Sequence, residues 1–512
     1  MKKMNSMPKM RDGTVEEIFK DLDKHQDILP TYQGELYLER HQGVLTSQNR
    51  HKQGNKCIEE RLKLVEAILA EKGVYDFDKT MDDIWKEVLL YQFHDVQAGS
   101  AVERVYLEEQ VRYSLFNKEL DDILAKVLPI NEKTPGENVL LYNHLNYSGE
   151  KLYRTKDGYV EYQLQPHSWA KPAVVAAKRE IAVPTVVETP LLKIAFAKDG
   201  SLSSIFDKRS STEMLNAYGG NKLRVFHDYG DAWDIPESYR DQDEVFMKLV
   251  DRKAYRAGQF TEILSTYTFQ NSTIVEAMTI DDKSSVIRIH DDIDWKDTYF
   301  LIKSCTGLTQ TSNMATFDVQ FGSFKRSTRL DDLEEKAQIE VAAQQWADLS
   351  SDKAGFTIMN HARNGYYVKN DHMEISVLRS THEPGRFSDQ HPTSCNYAFY
   401  IHDGAFDEKN VDKLAYVYDE QFILASAAEK FSFPTIDNDD IEWSAYKLAY
   451  DKNGVVLRVY ERTGLNATCK ITMPEGYHKA ELVDILEDTL GAIDLNKVSF
   501  HPFEIKTIRF TK

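Results

Sequence analysis

Residues 101–136, AVERVYLEEQVRYSLFNKELDDILAKVLPINEKTPG, hold the change of period that decides the fold. From Ala101 to Val127 the apolar residues Val102, Val105, Leu115, Leu120, Leu124 and Val127 fall on roughly one side of a helix while Glu and Lys fill the other. That is the pattern of a helix in a small bundle. Pro129, Asn131, Pro135 and Gly136 then break it, because proline cannot donate to the helical ladder and glycine leaves the backbone unrestrained. Beyond them come short alternating runs such as Leu192, Ile194 and Phe196 before Gly200, which read as strands.

Upstream, Thr14 with Glu17, Thr80 with Asp83, and Ser100 with Glu103 have the Ser/Thr-x-x-acid form that caps helix starts. Ile58, Leu62, Val65 and Leu69 recur at helical spacing before Gly73, a suitable C-terminal stop. Downstream, Val455, Leu457 and Val459 follow the turn Asn453-Gly454, and Ile505, Ile508 and Phe510 close the chain. The expected class is therefore α+β, an N-terminal helical bundle followed by mainly antiparallel β-sandwich domains. The expected divisions are an N-terminal segment with one helix over 1–30, the bundle over 31–130, the central β-sandwich region over 131–435 and a small β-domain over 436–512. A linker near Phe431 to Asp440, with Pro434 and several acids, marks the last boundary.

Charge and cysteine usage narrow the function. A formal net charge of -19 argues against nucleic acid or an anionic membrane as partner, since both are bound by an excess of Lys and Arg. No apolar run approaches the roughly 20 residues that span a bilayer, so a soluble protein acting on a neutral substrate is expected. Cys57, Cys305, Cys395 and Cys469 are scattered without CxxC spacing, which indicates neither a disulfide framework nor a thiolate zinc site. The N-terminus MKKMNSMPKM has no apolar segment after its lysines, so no signal peptide is expected and the cytoplasm is the expected compartment.

The chemistry concentrates in WKEVLLYQFHDVQAGSAVERVY, residues 85–106, which sets His94 and Asp95 at the end of an apolar helix. The residues alone leave two readings open. One is a metal ligand beside a carboxylate; the other is a histidine that closes a buried helix end. As a metal site the pair is incomplete, because zinc takes three or four protein ligands.

The motifs around it resemble glycoside hydrolase family 38, the zinc-dependent α-mannosidases, especially the bacterial members. Gly34-Glu35-Leu36-Tyr37-Leu38-Glu39-Arg40-His41 is similar to the family's GELYLE-x-H motif, followed by Thr46-Ser47-Gln48 and Lys52-x-Gly54-Asn55. Gln92-Phe93-His94-Asp95 with Gly99-Ser100 resembles its QFHD-x-x-x-GS signature. Asp294-Trp295, Gln345 to Ser350, Leu378-Arg379-Ser380 and Pro502 to Thr507 follow in the family's order. The pattern departs at Leu45, Gln42 and Thr393, where a tyrosine, an arginine and a histidine are usual.

The resemblance implies retaining hydrolysis of α-mannosides by two carboxyl groups about 5 Å apart, with zinc as Lewis acid and template. It implies His94 as the last zinc ligand, Asp95 as a residue facing the sugar and Arg379 as a residue near the cleft that contacts the substrate. Glu39 and His41, in a segment at a domain junction, are further candidates for the sugar. The family's N-terminal α/β domain, which supplies the nucleophile, the acid/base and two more zinc ligands, has no counterpart in these residues. The expectation is thus an α-mannosidase portion inactive alone, completed by a separate N-terminal catalytic polypeptide. The alternative is a non-catalytic carbohydrate-binding or scaffolding β-protein.

Three further groups read as structural. His227, Asp228, Asp231 and Asp234 lie in a Gly- and Asp-rich turn, although they could be proposed as a metal site. Arg386, Asp389 and His391 form a charged loop beside Arg379 that could line the cleft. Trp233, Trp295 and Trp346 are expected in the core rather than stacked on sugars.

Overall fold

A computed structural model describes residues 12–37, 39–128 and 132–512. Residues 1–11, Pro129 and Asn131, on which the expected first segment and the helix break partly rest, lie outside the described residues. The chain divides into two compact units between Glu39 and Arg40; the sequence suggested a first division after residue 30.

In the first unit α1, Val15–Leu22, begins as the sequence predicts. Thr14 accepts from the Glu17 amide while the Glu17 carboxylate accepts from the Thr14 amide, which closes the capping box.

The second unit opens with the bundle. Helix α2, Asn49–Lys72, buries Ile58, Leu62, Val65 and Leu69 and stops at Gly73, whose φ of 62° lets it cap the helix in the left-handed region. Helix α3 spans Asp78–Tyr91, the short α4 spans His94–Gln97, and α5 spans Glu103–Val127. Two expected caps do not form. Thr80 lies inside α3, which starts two residues earlier, with Asp78 placed where the helix dipole favours an acid. Ser100 stands outside α5 and spends its hydroxyl on the Asp95 carbonyl at 3.1 Å. The buried face of α5 also differs from the expected one: Tyr106, Tyr113, Phe116, Leu120, Ile123 and Leu124 point inward, while Val102 and Leu115 are exposed. Aromatic residues make up half of that face, Tyr106, Tyr113 and Phe116, none of which was in the apolar set read from the sequence.

From Leu140 onward the chain is almost entirely β, and every pairing among the described strands is antiparallel. A ten-stranded sheet and a six-stranded sheet dominate the central region. Strand Phe300–Gly307 is buried at every position, which requires cover on both faces. Asn221 ties the two sheets together, accepting from Ser304 of the smaller and Tyr397 of the larger, and donating to Glu276 of the larger.

The final residues build a five-stranded sheet. Its inward residues Ile441, Val455, Leu457, Val459 and Ile508 share one apolar core with α2, α3 and α5. The bundle and the C-terminal sheet are therefore one packed body despite their separation in sequence. The segment expected as a linker is part of the same body: Phe431 and Phe433 pack on Tyr142, and Ser432 donates to Glu71.

A polar network fastens α2 to the central sheets. Lys56 bridges Glu60 at 3.0 Å and Asp419 at 2.6 Å, Asp419 pairs with His361, and Cys57 Sγ lies 3.4 Å from the His361 ring. Burial works to lower the His361 pKa, but the charge and hydrogen bond of Asp419 outweigh it and hold the imidazolium up at about 10. The folded value lies above that of an unfolded histidine. The stabilisation is therefore complete below about pH 6.5 and is lost as the pH rises from there through about 10. Urea unfolding of the wild type should show stability falling across that window, and His361→Gln should flatten the fall. Parallel curves for the two proteins would refute the assignment.

Candidate functional site

Helix α3 ends at Tyr91, and the chain turns through Gln92 and Phe93 into α4, whose first residues are His94 and Asp95. Both side chains are turned to solvent, 78% and 51% exposed, with His94 Nε2 3.8 Å from Asp95 Oδ1. The reading of His94 as the closure of a buried helix end is thereby excluded. Its ring rests against Phe93 with centroids 4.1 Å apart.

The backbone beneath these exposed side chains is held from several directions. Tyr106 donates to the Val96 carbonyl at 3.2 Å and accepts from the Ala101 amide at 2.9 Å. Lys52 donates to the carbonyls of Gln97 at 2.9 Å and Ser47 at 2.6 Å. The fully buried His51 lies between Glu109 and the Gln97 side chain. Gly99 has φ of 85° and passes so close to the Ser47 carbonyl that a Cβ would stand 2.5 Å from it. Only glycine meets both conditions. The Gly99-Ser100 pair thus has a mechanical role in setting the loop. Burial pushes the Lys52 ammonium down to about 7.

The second group of expected residues surrounds the Asp228–Asp234 loop. Arg379 is fully buried there. Its guanidinium donates to Asp228 at 2.6 Å, to Ser47 Oγ at 2.9 Å, to the Ala232 carbonyl at 3.2 Å and to the Asp234 carbonyl at 2.7 Å. All three nitrogens are engaged within the protein, so this corrects the expectation that Arg379 faces the sugar. Its partner Ser47 connects it to the first group, because the Ser47 carbonyl receives Lys52, which also holds Gln97. Arg379 is a positioning residue for the His94 loop.

His41 is half exposed, sits at φ of 63° and donates its amide to Asp234 Oδ1 at 2.7 Å. Glu39 is exposed in the first unit. Asp231 accepts from the amides of Trp233 and Asp234, closing a turn, and Asp228 is paired with Arg379. The cluster of His227 and three aspartates is therefore the structural turn that the sequence favoured. Asp389, with burial pushing its carboxyl up to about 6, accepts from the Asn49 amide at 2.8 Å and anchors the start of α2. Trp295 and Trp346 are buried, as expected, and Trp233 is half buried.

His94 also contributes to a cleft of about 1500 Å³, whose walls include Asn55 and Glu59 of α2, Gln320 and Trp443. Apolar side chains are exposed on the same bundle: Leu89 and Leu90 at the end of α3, Phe93 just beyond it, and Leu107, Val111 and Leu115 along one face of α5. Arg112 of α5 pairs with Glu87 of α3 beside them.

Zinc, which the sequence resemblance implies, does not fit the residues of this chain alone. Among the described residues, no group of three His, Cys, Asp or Glu that could share an ion includes His94. One exposed imidazole can fill one position of a three- or four-ligand set.

Sequence reasoning named His94 and Asp95 but missed their supports, His51, Lys52, Glu109 and Tyr106. Lys52 was visible in the Lys52-x-Gly54-Asn55 match; nothing local to the others points to the loop they hold.

Comparison with known proteins accounts for this arrangement. The model of the α-mannosidase middle domain matches residues 39–129, that of the glycosyl hydrolases family 38 C-terminal domain residues 187–387, and that of the family 38 C-terminal β-sandwich domain residues 440–508. Human α-mannosidase 2C1 is 24% identical over 98% of this chain and 53% of its own length, and the α-mannosidase of Saccharomyces cerevisiae is 26% identical over 99% and 51%. The chain spans about half the length of the curated relatives it matches. An α-mannosidase crystal structure from Enterococcus faecalis V583 shares the fold with a TM-score of 0.79, at 16% identity, over 97% of this chain and 72% of that one. Three family domains in their expected order, over a fold that matches throughout, place the chain in glycoside hydrolase family 38, of which it carries the middle and C-terminal domains.

Proposed function

We propose that this chain provides one wall of an α-mannosidase active site, contributing His94 as a zinc ligand and Asp95 as a contact to the sugar. A separate polypeptide bearing the nucleophile and the acid/base completes the site. The observation that carries this reading is the contrast at α4, where a tightly held backbone presents two exposed polar side chains with no complete ligand set around them. Functional groups need such support to keep their geometry. The apolar residues Leu89, Leu90, Phe93, Leu107, Val111 and Leu115 support the same reading, because exposed apolar surface of this kind marks a protein interface.

His41 remains a candidate for the sugar from its half-exposed position, and Glu39 from its exposed one. Substrates are mannosides or mannose-containing oligosaccharides. The four free cysteines suit a reducing compartment such as the cytoplasm. No helix among the described residues is long and apolar enough to cross a membrane.

The test is to incubate the purified chain with zinc and a chromogenic α-mannoside. The expected result is no turnover; clear turnover by the chain alone would overturn the two-part reading. Titration with mannose oligosaccharides separates it from a carbohydrate-binding or scaffolding role. Tight binding without any complementing polypeptide would favour that role instead.

A further inference from the structure

The three-stranded sheet that contains Gly149–Arg154 and Gly158–Leu164 lies against one end of the ten-stranded sheet, and acidic residues meet there. Glu150 pairs with Gln163 and Leu152 with Glu161 across the two strands, so Glu150, Glu161 and Gln163 share a face. Asp281 ends strand Ser272–Asp281, opposite Phe260 and beside Gln259. One carboxylate oxygen from each of Glu150, Glu161 and Asp281 lies within 4.8 Å of the others.

Such a meeting of like charges normally carries its own counter-ions. Three of the nearby cations are committed elsewhere: Arg154 and Lys178 pair with Glu262, and Arg256 pairs with Asp282, while Arg288 has a buried Nη1 without a hydrogen-bond partner. Among the described residues none of the three acids has a Lys, Arg or His ion-pair partner within 4.0 Å. Arg288 acts on Glu150 and Asp281 only at longer range.

A second observation points to a ligand. Asp281 is fully buried, yet its Oδ2 has no hydrogen-bond partner, and the same holds for the buried Glu150 Oε1. A buried polar atom without a partner carries the full cost of its lost water. The other oxygens are deliberately placed. Glu161 accepts from the amides of Gln163 at 2.8 Å and Gln259 at 2.7 Å, and Asp281 Oδ1 accepts from the Lys283 amide at 2.9 Å. Each carboxylate oxygen has a second lone pair, so these bonds orient Glu161 and leave it able to coordinate.

We infer that Glu150, Glu161 and Asp281 form a binding site for a hard divalent cation, calcium by preference, that pins the small sheet to the large one. The donors are all oxygen, which selects against thiophilic ions and against zinc, whose sites draw on nitrogen and sulfur. Three carboxylates that can each bind through one or both oxygens suit the flexible coordination of calcium better than the strict octahedron of magnesium. A divalent ion also offsets most of the three negative charges.

The experiment uses the whole chain after chelator treatment, with calcium, magnesium and zinc added separately and followed by titration calorimetry and thermal unfolding. Calcium should bind with one-to-one stoichiometry at this site and raise the melting temperature by several degrees, more than magnesium does. Asp281→Asn and Glu150→Gln should each lose the calcium response while melting, without metal, no lower than the wild type, because each removes like-charge repulsion. Two variants guard against one that fails to fold. No calcium heat and no thermal shift in the wild type would overturn the inference, as would a shift that both variants retain. A response to zinc exceeding that to calcium would overturn the choice of ion. No mannoside enters the experiment, so its outcome is independent of the proposed activity.

Discussion

His94→Ala is expected to abolish α-mannoside turnover by an assembly of this chain with the family's N-terminal α/β domain, lowering kcat/KM by about two orders of magnitude or more. The estimate follows from the roughly 10- to 100-fold losses that attend removal of groups merely supporting a metal ligand. Removal of a ligand should exceed them. The variant should leave the fold intact, because the His94 side chain is 78% exposed and its ring rests against the likewise exposed Phe93. Urea unfolding of His94→Ala should therefore match the wild type, while zinc affinity of the assembly drops. Unchanged turnover with zinc still bound would remove His94 from the site.

Arg379→Ala is expected to have the opposite profile, a large loss of stability. The Arg379–Asp228 pair is fully buried, and truncating one member leaves an uncompensated charge, which costs about 3–5 kcal/mol. The change also frees Ser47 Oγ and the carbonyls of Ala232 and Asp234. Arg379→Lys should recover little, since one ammonium nitrogen cannot reach the four acceptors that the three guanidinium nitrogens serve. Because Ser47 links Arg379 to Lys52 and thence to Gln97, Arg379→Lys should also loosen α4 and weaken activity of the assembly beyond its effect on folding. Denaturant unfolding measures the first effect; a loss below about 1 kcal/mol for Arg379→Ala would show that the buried pair does not hold this region.

These two residues show what could be read from the sequence. His94 lies in a contiguous motif that marked it as a candidate, but the sequence put it at the end of a helix and left its burial open, whereas the structure sets it exposed at the start of α4. Arg379 lies in an equally recognisable motif, but its role depends on Asp228 and Ser47, which are 151 and 332 residues away. No local pattern carries that information. The broad architecture was legible because the change from helical to alternating period near residue 130 is a backbone property. The shared core of the bundle and the C-terminal sheet was not, since Ile58 and Val459 are joined only by packing. Two of the three expected helix starts failed for a related reason, while that at Thr14 formed. A Ser/Thr-x-x-acid pattern identifies a possible cap, yet Ser100 found a better use in holding the Asp95 carbonyl.

The structure exposes Leu89 and Leu90 at the end of α3, Phe93 just beyond it, and Leu107, Val111 and Leu115 on one face of α5. Under the proposed two-part reading, these residues are the candidate surface for the completing domain. Covering them would contribute to binding, so charged substitutions such as Val111→Glu should weaken the assembly without unfolding the chain. Analytical ultracentrifugation of the mixture reads that effect directly; unaltered association would place the interface elsewhere.

The most direct test is zinc-dependent hydrolysis of a chromogenic α-mannoside by three samples: the chain alone, the N-terminal α/β domain of a family relative alone, and the two mixed. Turnover that appears only in the mixture, disappears on chelation, returns with zinc and is absent with His94→Ala is the predicted result. Activity of the chain alone, or of a mixture indifferent to His94→Ala, would contradict it.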